Sequence, residues 1–182
     1  VELRLNLAQV LVFEKRFGKA LEILKALSQE VNQSVVVQSY GEALIAADRL
    51  QEAEDLFIAD HEANPKRLES LGQAAALAWT RGDAAQAFEL ASKVLLERPL
   101  DANALEVVVR HALANGAEGI AGLLFERAHA ANVHTPELAW LSGQREEKRG
   151  ELARALRIYR EGVARFPKAQ KLREAVAGTA LS

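Results

Sequence analysis

The apolar positions of this chain fall into Ala- and Leu-rich amphipathic stretches separated by short turns. β-branched residues do not gather into alternating runs, so the pattern predicts helices and no strands. One such stretch predicts a helix from about Leu68 to Thr80, broken at Arg81-Gly82, with Asp83 placed to cap the next helix. Asn64-Pro65, Arg98-Pro99 and Phe166-Pro167 each end a helix, because Pro cannot continue one and disfavours helix in the residue before it. Thr135-Pro136 does the opposite: Thr caps and Pro starts a helix. Near the end, Leu172, Val176 and Ala180 fall on one side of a helix, with Lys168, Lys171, Arg173 and Glu174 elsewhere.

The stretches repeat. Ala20, Ala53, Ala87, Ala121 and Ala155 are spaced by 33, 34, 34 and 34 residues. Four positions later stand Leu24, Phe57, Ala91, Phe125 and Tyr159. Twelve positions before the alanines stand Ala8, Gly41, Ala75, Val109 and Gly143, all small except Val109. Gly82, Gly116 and Gly150 keep the same period, as do Pro65 and Pro99, with Pro167 two periods on. The proline missing from the series falls at Val133. Small residues in the first and third columns let paired helices approach closely, and the larger ones of the second fill the space between hairpins.

A helix–turn–helix period of about 34 residues is that of the tetratricopeptide repeat. The chain resembles that family from end to end. The best stretches are Tyr40-Gly41 through Ala53, Phe57 and Pro65; Gly82-Asp83 through Ala87 and Pro99; and Gly150 through Ala155, Tyr159 and Pro167. It departs from the family in lacking the aromatic near the start of most repeats, in a first repeat one residue short, and in the absent fourth proline. The resemblance implies an all-α, right-handed superhelical solenoid forming a single array over 1–182. Five repeats are expected at about 1–33, 34–67, 68–101, 102–135 and 136–169, followed by a helix over about 168–178. That last helix suits a cap, and it also resembles the first half of a sixth repeat. Each hairpin alone would expose an apolar face, so stacking stabilises the array.

Composition agrees: Ala and Leu, both strong helix formers, make up about a third of the chain, while Gly and Pro number 11 and 4. Lys and Arg total 23 against 25 Asp and Glu, without the basic excess of a general nucleic-acid binder. There is no Cys, which excludes disulfides, thiolate metal sites and Cys nucleophiles. No uncharged stretch is long enough to span a membrane. The chain enters amphipathic sequence at Val1-Glu2-Leu3-Arg4 without a signal-peptide pattern. It contains no Met, even at position 1, so its start is expected to be trimmed or the edge of a fragment. The composition has a bacterial cast, and the compartment stays open between cytoplasm and periplasm.

No motif carries catalytic chemistry: there is no Gly-rich phosphate loop, nucleophile elbow or metalloprotease helix. The chain is therefore expected to be no enzyme and to hold no cofactor. His111, His129 and His134 share the fourth repeat but read as ordinary surface and half-buried histidines, and no metal site is expected. The run Arg145-Glu146-Glu147-Lys148-Arg149 reads as a solvated face. Its two adjacent glutamates diverge by roughly 100° around a helix, which makes them a poor acid/base pair.

A binding surface remains. In the family that the chain resembles, the first helix of each hairpin lines a concave groove. By that resemblance the groove residues are Phe13, Gln38, Glu42, Ile45, Trp79, Glu106, Arg110, Leu113, Trp140, Gln144 and Glu147. They include both tryptophans of the chain. The wider set of groove positions carries six acids (Glu2, Glu42, Glu69, Glu106, Glu137 and Glu147) against Arg110 and Lys148. Apolar anchors in an acidic surround suit a peptide or helix of a partner protein that carries apolar and basic residues. The co-chaperone members of the family hold a C-terminal carboxylate with Lys, Arg and Asn. Here the corresponding positions are Glu2, Leu5, Asn6 and Gln9, then Val35, Gln38, Ser39 and Glu42, so chaperone tails are not expected ligands. The expected function is a non-enzymatic interaction scaffold. The alternative is a docking segment of a larger bacterial envelope, secretion or polysaccharide-export assembly. Self-association stays open.

Overall fold

The computed structural model describes residues 1–180, which form helices joined by short turns. In chain order these are α1 (Glu2–Phe13), α2 (Phe17–Glu30), α3 (Ser34–Ala46), α4 (Leu50–Ala63), α5 (Leu68–Thr80), α6 (Ala84–Glu97), α7 (Ala102–Ala114), α8 (Glu118–Ala130), α9 (Pro136–Lys148), α10 (Leu152–Arg165) and α11 (Gln170–Thr179). They make five hairpins and one further helix. By contacts the chain divides into two compact units, Val1–Val94 and Leu95 onward, with the division inside the last turns of α6.

The hairpin turns explain the glycine column. Lys15, Asp48, Gly82, Gly116 and Gly150 all adopt positive φ, between 59° and 89°. In each case the next residue donates its amide back into the last turn of the preceding helix, as Arg16 does to the Leu11 carbonyl (2.8 Å) and Asp83 to that of Ala78 (2.9 Å). This left-handed closure satisfies carbonyls that the helix end leaves bare, and Gly adopts it without steric cost. Asp83 also accepts the Gln86 amide at 3.0 Å, the cap expected of it. Thr135 accepts the Leu138 amide at 3.0 Å ahead of Pro136.

The fourth hairpin shows what replaces the missing proline. Asn132 takes φ 58°, and Val133 donates to the Ala128 carbonyl at 2.8 Å. The helix is stopped by the same left-handed closure that ends the first helices, and Asn is among the few non-Gly residues that tolerate it.

The alanine column is buried as the spacing predicts, while the large residues expected between hairpins meet the small residue of the first helix within their own hairpin. Ala20, Ala53, Ala87, Ala121 and Ala155 are all fully buried. Within hairpins, the small residue of the first helix faces the large one of the second. A Cβ on Gly41 would lie 2.1 Å from Phe57 Cζ, and one on Gly143 would lie 2.1 Å from Tyr159 Cε1. Ala75 and Ala91 are both fully buried in the third hairpin. Where Val109 stands instead of a glycine, Phe125 is only half-buried, packed on the cluster of Leu105, Val109, Ala128, Leu138 and Leu141.

Two sequence expectations need correction. The run from Arg145 to Arg149 is solvated only at Lys148 and Arg149. Glu146 is buried and meets Arg145 at 2.7 Å, Arg149 at 3.4 Å and Arg154 at 3.5 Å. The last helix covers Gln170–Thr179 rather than 168–178, with Ala180 as its exposed C-cap outside the apolar side. Leu172 is fully buried and Val176 half-buried, both against the Tyr159 cluster.

Candidate functional site

Trp140, Gln144 and Glu147 lie on one stripe of α9, at i, i+4 and i+7. Across from them α11 presents Lys171, Glu174, Ala175, Gly178 and Thr179, and Tyr159 of α10 closes the floor. Together they line an open cleft of about 300 Å³ within the second unit. Its depth depends on small residues, since Gly178 and Ala175 leave the space that longer side chains would fill.

The cleft is wired at both ends. Glu147 accepts hydrogen bonds from the Tyr159 hydroxyl (3.1 Å) and the Thr179 hydroxyl (2.5 Å), which ties all three of its helices to one carboxylate. Burial pushes the Tyr159 phenol well above its ordinary range, and the nearby Glu147 charge adds to the shift. Trp140 packs on the core with one side. The Lys171 ammonium sits 4.8 Å from its ring centroid, within cation–π range. Lys171 also contacts Glu137 at 3.1 Å, and Glu137 meets Arg110 at 2.6 Å.

The remaining expected groove residues of this unit lie beside that chain of charges. Glu106 accepts a hydrogen bond from the Thr135 hydroxyl, the same group that caps α9. Desolvation raises the Glu106 carboxyl above its ordinary range, more than the Thr135 bond and Arg110 lower it. Leu113 is half-buried against the cluster of Leu105 and Leu138. The acid excess read from the sequence is thus partly spent internally, with Glu137 held between two cations and Glu106 bonded to Thr135.

In the first unit, Phe13 is 89% exposed at the end of α1. Gln38 accepts a hydrogen bond from Gln73 at 2.5 Å, linking α3 to α5. Glu42 and Ile45 are exposed on α3, and Trp79 is half-buried on α5.

Sequence reasoning missed the α11 half of the cleft, although the signal was present. Adding one period of 34 to Glu137, Trp140 and Gln144 gives Lys171, Glu174 and Gly178, all of which line the cleft or pair with its wall. Likewise α11 begins one period after α9, at 170 against 136. Among the described residues, no group of three His, Asp or Glu side chains is placed to hold a metal ion.

No family model matches the sequence. No curated protein is significantly similar to it. Solved structures are similar in fold. A tetratricopeptide repeat protein from Parabacteroides merdae is 19% identical, covering 99% of this chain and 72% of its own, with a TM-score of 0.73. A thermophilic protein of the same repeat class from Thermus thermophilus is 18% identical, covering 100% of this chain and 99% of its own, with a TM-score of 0.74. The fold is that of the tetratricopeptide repeat. PilW, described as a widely conserved type IV pilus biogenesis factor, shares it at 19% identity and a TM-score of 0.67, covering 93% of this chain and 79% of its own. Within the tetratricopeptide-repeat fold, α9 and α11 take equivalent first-helix places, and the cleft lies between two successive first helices.

Proposed function

We propose that the protein is a non-enzymatic scaffold that binds a peptide or helix of a partner protein along its first-helix surface, with the α9–α11 cleft as an anchoring pocket. One observation carries this reading: Trp140, Gln144 and Glu147, three residues expected to contact a partner, line a single open cleft with an aromatic wall and a carboxylate at its base. A pocket of this kind accepts one side chain of an extended ligand, and buried aromatic anchors commonly dominate such affinities. Phe13, Gln38, Glu42, Ile45 and Trp79 offer the first unit a surface of its own for the same ligand class.

The test is a binding titration with a partner peptide followed by Trp emission, the chain having only two tryptophans. Trp140→Ala is expected to weaken binding by about 2 kcal/mol and to leave helical circular dichroism intact. Equal affinity of the variant and the native chain would sink the reading.

A second reading, docking within a larger bacterial envelope, secretion or export assembly, draws support from the fold shared with PilW, a type IV pilus biogenesis factor. Purification under native conditions separates the two. One stoichiometric partner favours assembly docking, and exchangeable ligands sharing a short motif favour the scaffold.

A further inference from the structure

In the second unit, first helices meet at α7 with α9 and at α9 with α11, and the chain fills the two grooves differently. Between α7 and α9, Arg110 reaches across to Glu137 at 2.6 Å, and both side chains are largely buried. The Arg110 charge also bears on Glu106 of its own helix. A guanidinium thus stands among carboxylates from both walls.

One period on, that arginine is missing. Gln144 stands in its place, shorter and uncharged, and lines the open cleft. Carboxylates are still present on both walls: Glu147 of α9, where the earlier groove has Leu113, and Glu174 of α11, where it has Trp140. Glu147 accepts the Tyr159 hydroxyl on one oxygen and the Thr179 hydroxyl on the other. Glu174 accepts the Gln170 side-chain amide at 2.7 Å. Among the described residues, neither carboxylate is paired with a Lys or Arg. Lys171, the cation on the cleft wall, is engaged by Glu137 at 3.1 Å and by the Trp140 ring. That ring is therefore already a surface on which a basic side chain rests.

We infer, taking the cleft as the anchoring pocket proposed above, that it receives an arginine side chain of the partner protein. The guanidinium meets Glu147 and Glu174, and the aliphatic stem lies against Trp140. Two observations select arginine. An ionised carboxylate has about two acceptor sites on each oxygen, so Glu147 keeps one open on each. A guanidinium fork meets two such sites side by side, where an ammonium acts as a point charge. The earlier groove shows the same choice, since there the chain supplies the arginine itself. An apolar side chain in the cleft would leave both carboxylates partly desolvated and without a counter-charge.

The probe is a capped pentapeptide, Ala-Ala-Arg-Ala-Ala, titrated into the full chain to about 10 mM. Binding is followed at the Trp140 indole N–H in proton–nitrogen NMR spectra, the chain having only two indoles. A saturable shift is expected. The same peptide with citrulline, which keeps the shape and removes the charge, should bind about tenfold more weakly or worse. Glu147→Gln should bring the arginine peptide down to the citrulline level. Gln144→Arg, which copies Arg110 and leaves Glu147 in place, should fill the cleft from within and abolish the shift. Absence of a saturable shift overturns the inference. So does equal affinity for arginine and citrulline, or arginine binding that both variants leave unchanged. A leucine peptide that binds as tightly as the arginine one also overturns it, while the scaffold reading stands. That reading falls only in the Trp140→Ala comparison.

Discussion

The ring of Tyr159 occupies the space in which a side chain on Gly143 would stand, with Cε1 2.1 Å from the Cβ that Gly143 lacks. Gly143 lies on α9 and Tyr159 on α10, so the pair sets how closely this hairpin closes. Gly143→Ala is expected to destabilise the protein by about 1–3 kcal/mol through overpacking, even though Ala is the better helix former by up to about 1 kcal/mol. Adding Tyr159→Leu should recover part of that loss. Chemical unfolding of the single and double variants measures both, and a stabilised single variant contradicts the packing described.

Ala121 is fully buried in the fourth hairpin, where it holds the place that Ala155 holds in the fifth. Ala121→Leu is expected to cost about 1–3 kcal/mol. The check is thermal unfolding, and an unchanged midpoint counts against the register of the alanine column.

Lys15 and Asp48 hold the left-handed turn position that glycine holds in the three later hairpins. Non-glycine residues in this conformation cost roughly 1 kcal/mol or more. Lys15→Gly is therefore expected to raise stability by about 1 kcal/mol, and Gly82→Ala to lower it by a similar amount. Opposite signs in urea denaturation are the result to look for.

Glu146 is buried with three arginines around it, and Arg145, the one it meets most closely, is itself largely buried. Removing the carboxylate strands that guanidinium in poor solvent. Glu146→Ala should cost about 2 kcal/mol or more, and Arg154→Ala, at an exposed partner, much less. Comparable losses in the two variants would contradict this ranking.

Glu106 gives a pH signature of definite sign. Its carboxyl is raised in the fold, chiefly by desolvation, so the folded state holds this proton to higher pH than the unfolded state does. The group's contribution to stability is then full below the ordinary carboxylate range and is lost as pH rises through the folded value. Glu106→Gln keeps a hydrogen-bonding group beside Thr135 and removes the titration. Its stability relative to the native chain should therefore increase as pH rises from about 4 towards neutrality. A difference that stays flat over that range rules the mechanism out.

The hairpins were legible from the sequence because their packing is local. The facing of Gly41 on Phe57 inside one hairpin was not legible, since the large residues were expected between hairpins, whereas the alanine column and the glycine turns join residues within one period, where spacing fixes the geometry. Asp83 and Thr135 were legible as caps for the same reason. Glu146 was not. Its burial depends on Arg145 lying against α8, where a Cβ on Gly122 would be 2.8 Å from the guanidinium. A mixed-charge run looks the same whether solvent or a neighbouring hairpin lies beside it. The cleft was half legible. Trp140, Gln144 and Glu147 follow from the resemblance, while Lys171 and Glu174 stand on a helix that suits a cap as well as half a repeat, and a capping helix has no groove positions to read.

The pairing of small with large residues across each hairpin also decides where such a chain can be recombined. Gly41 with Phe57 and Gly143 with Tyr159 are inherited together if a crossover falls between hairpins, and are separated if it falls in a hairpin turn. Joining α5 to α10, for instance, would set the Ala75 methyl where the Tyr159 ring needs empty space. Hairpins are therefore the exchangeable modules of this sequence, and single helices are not.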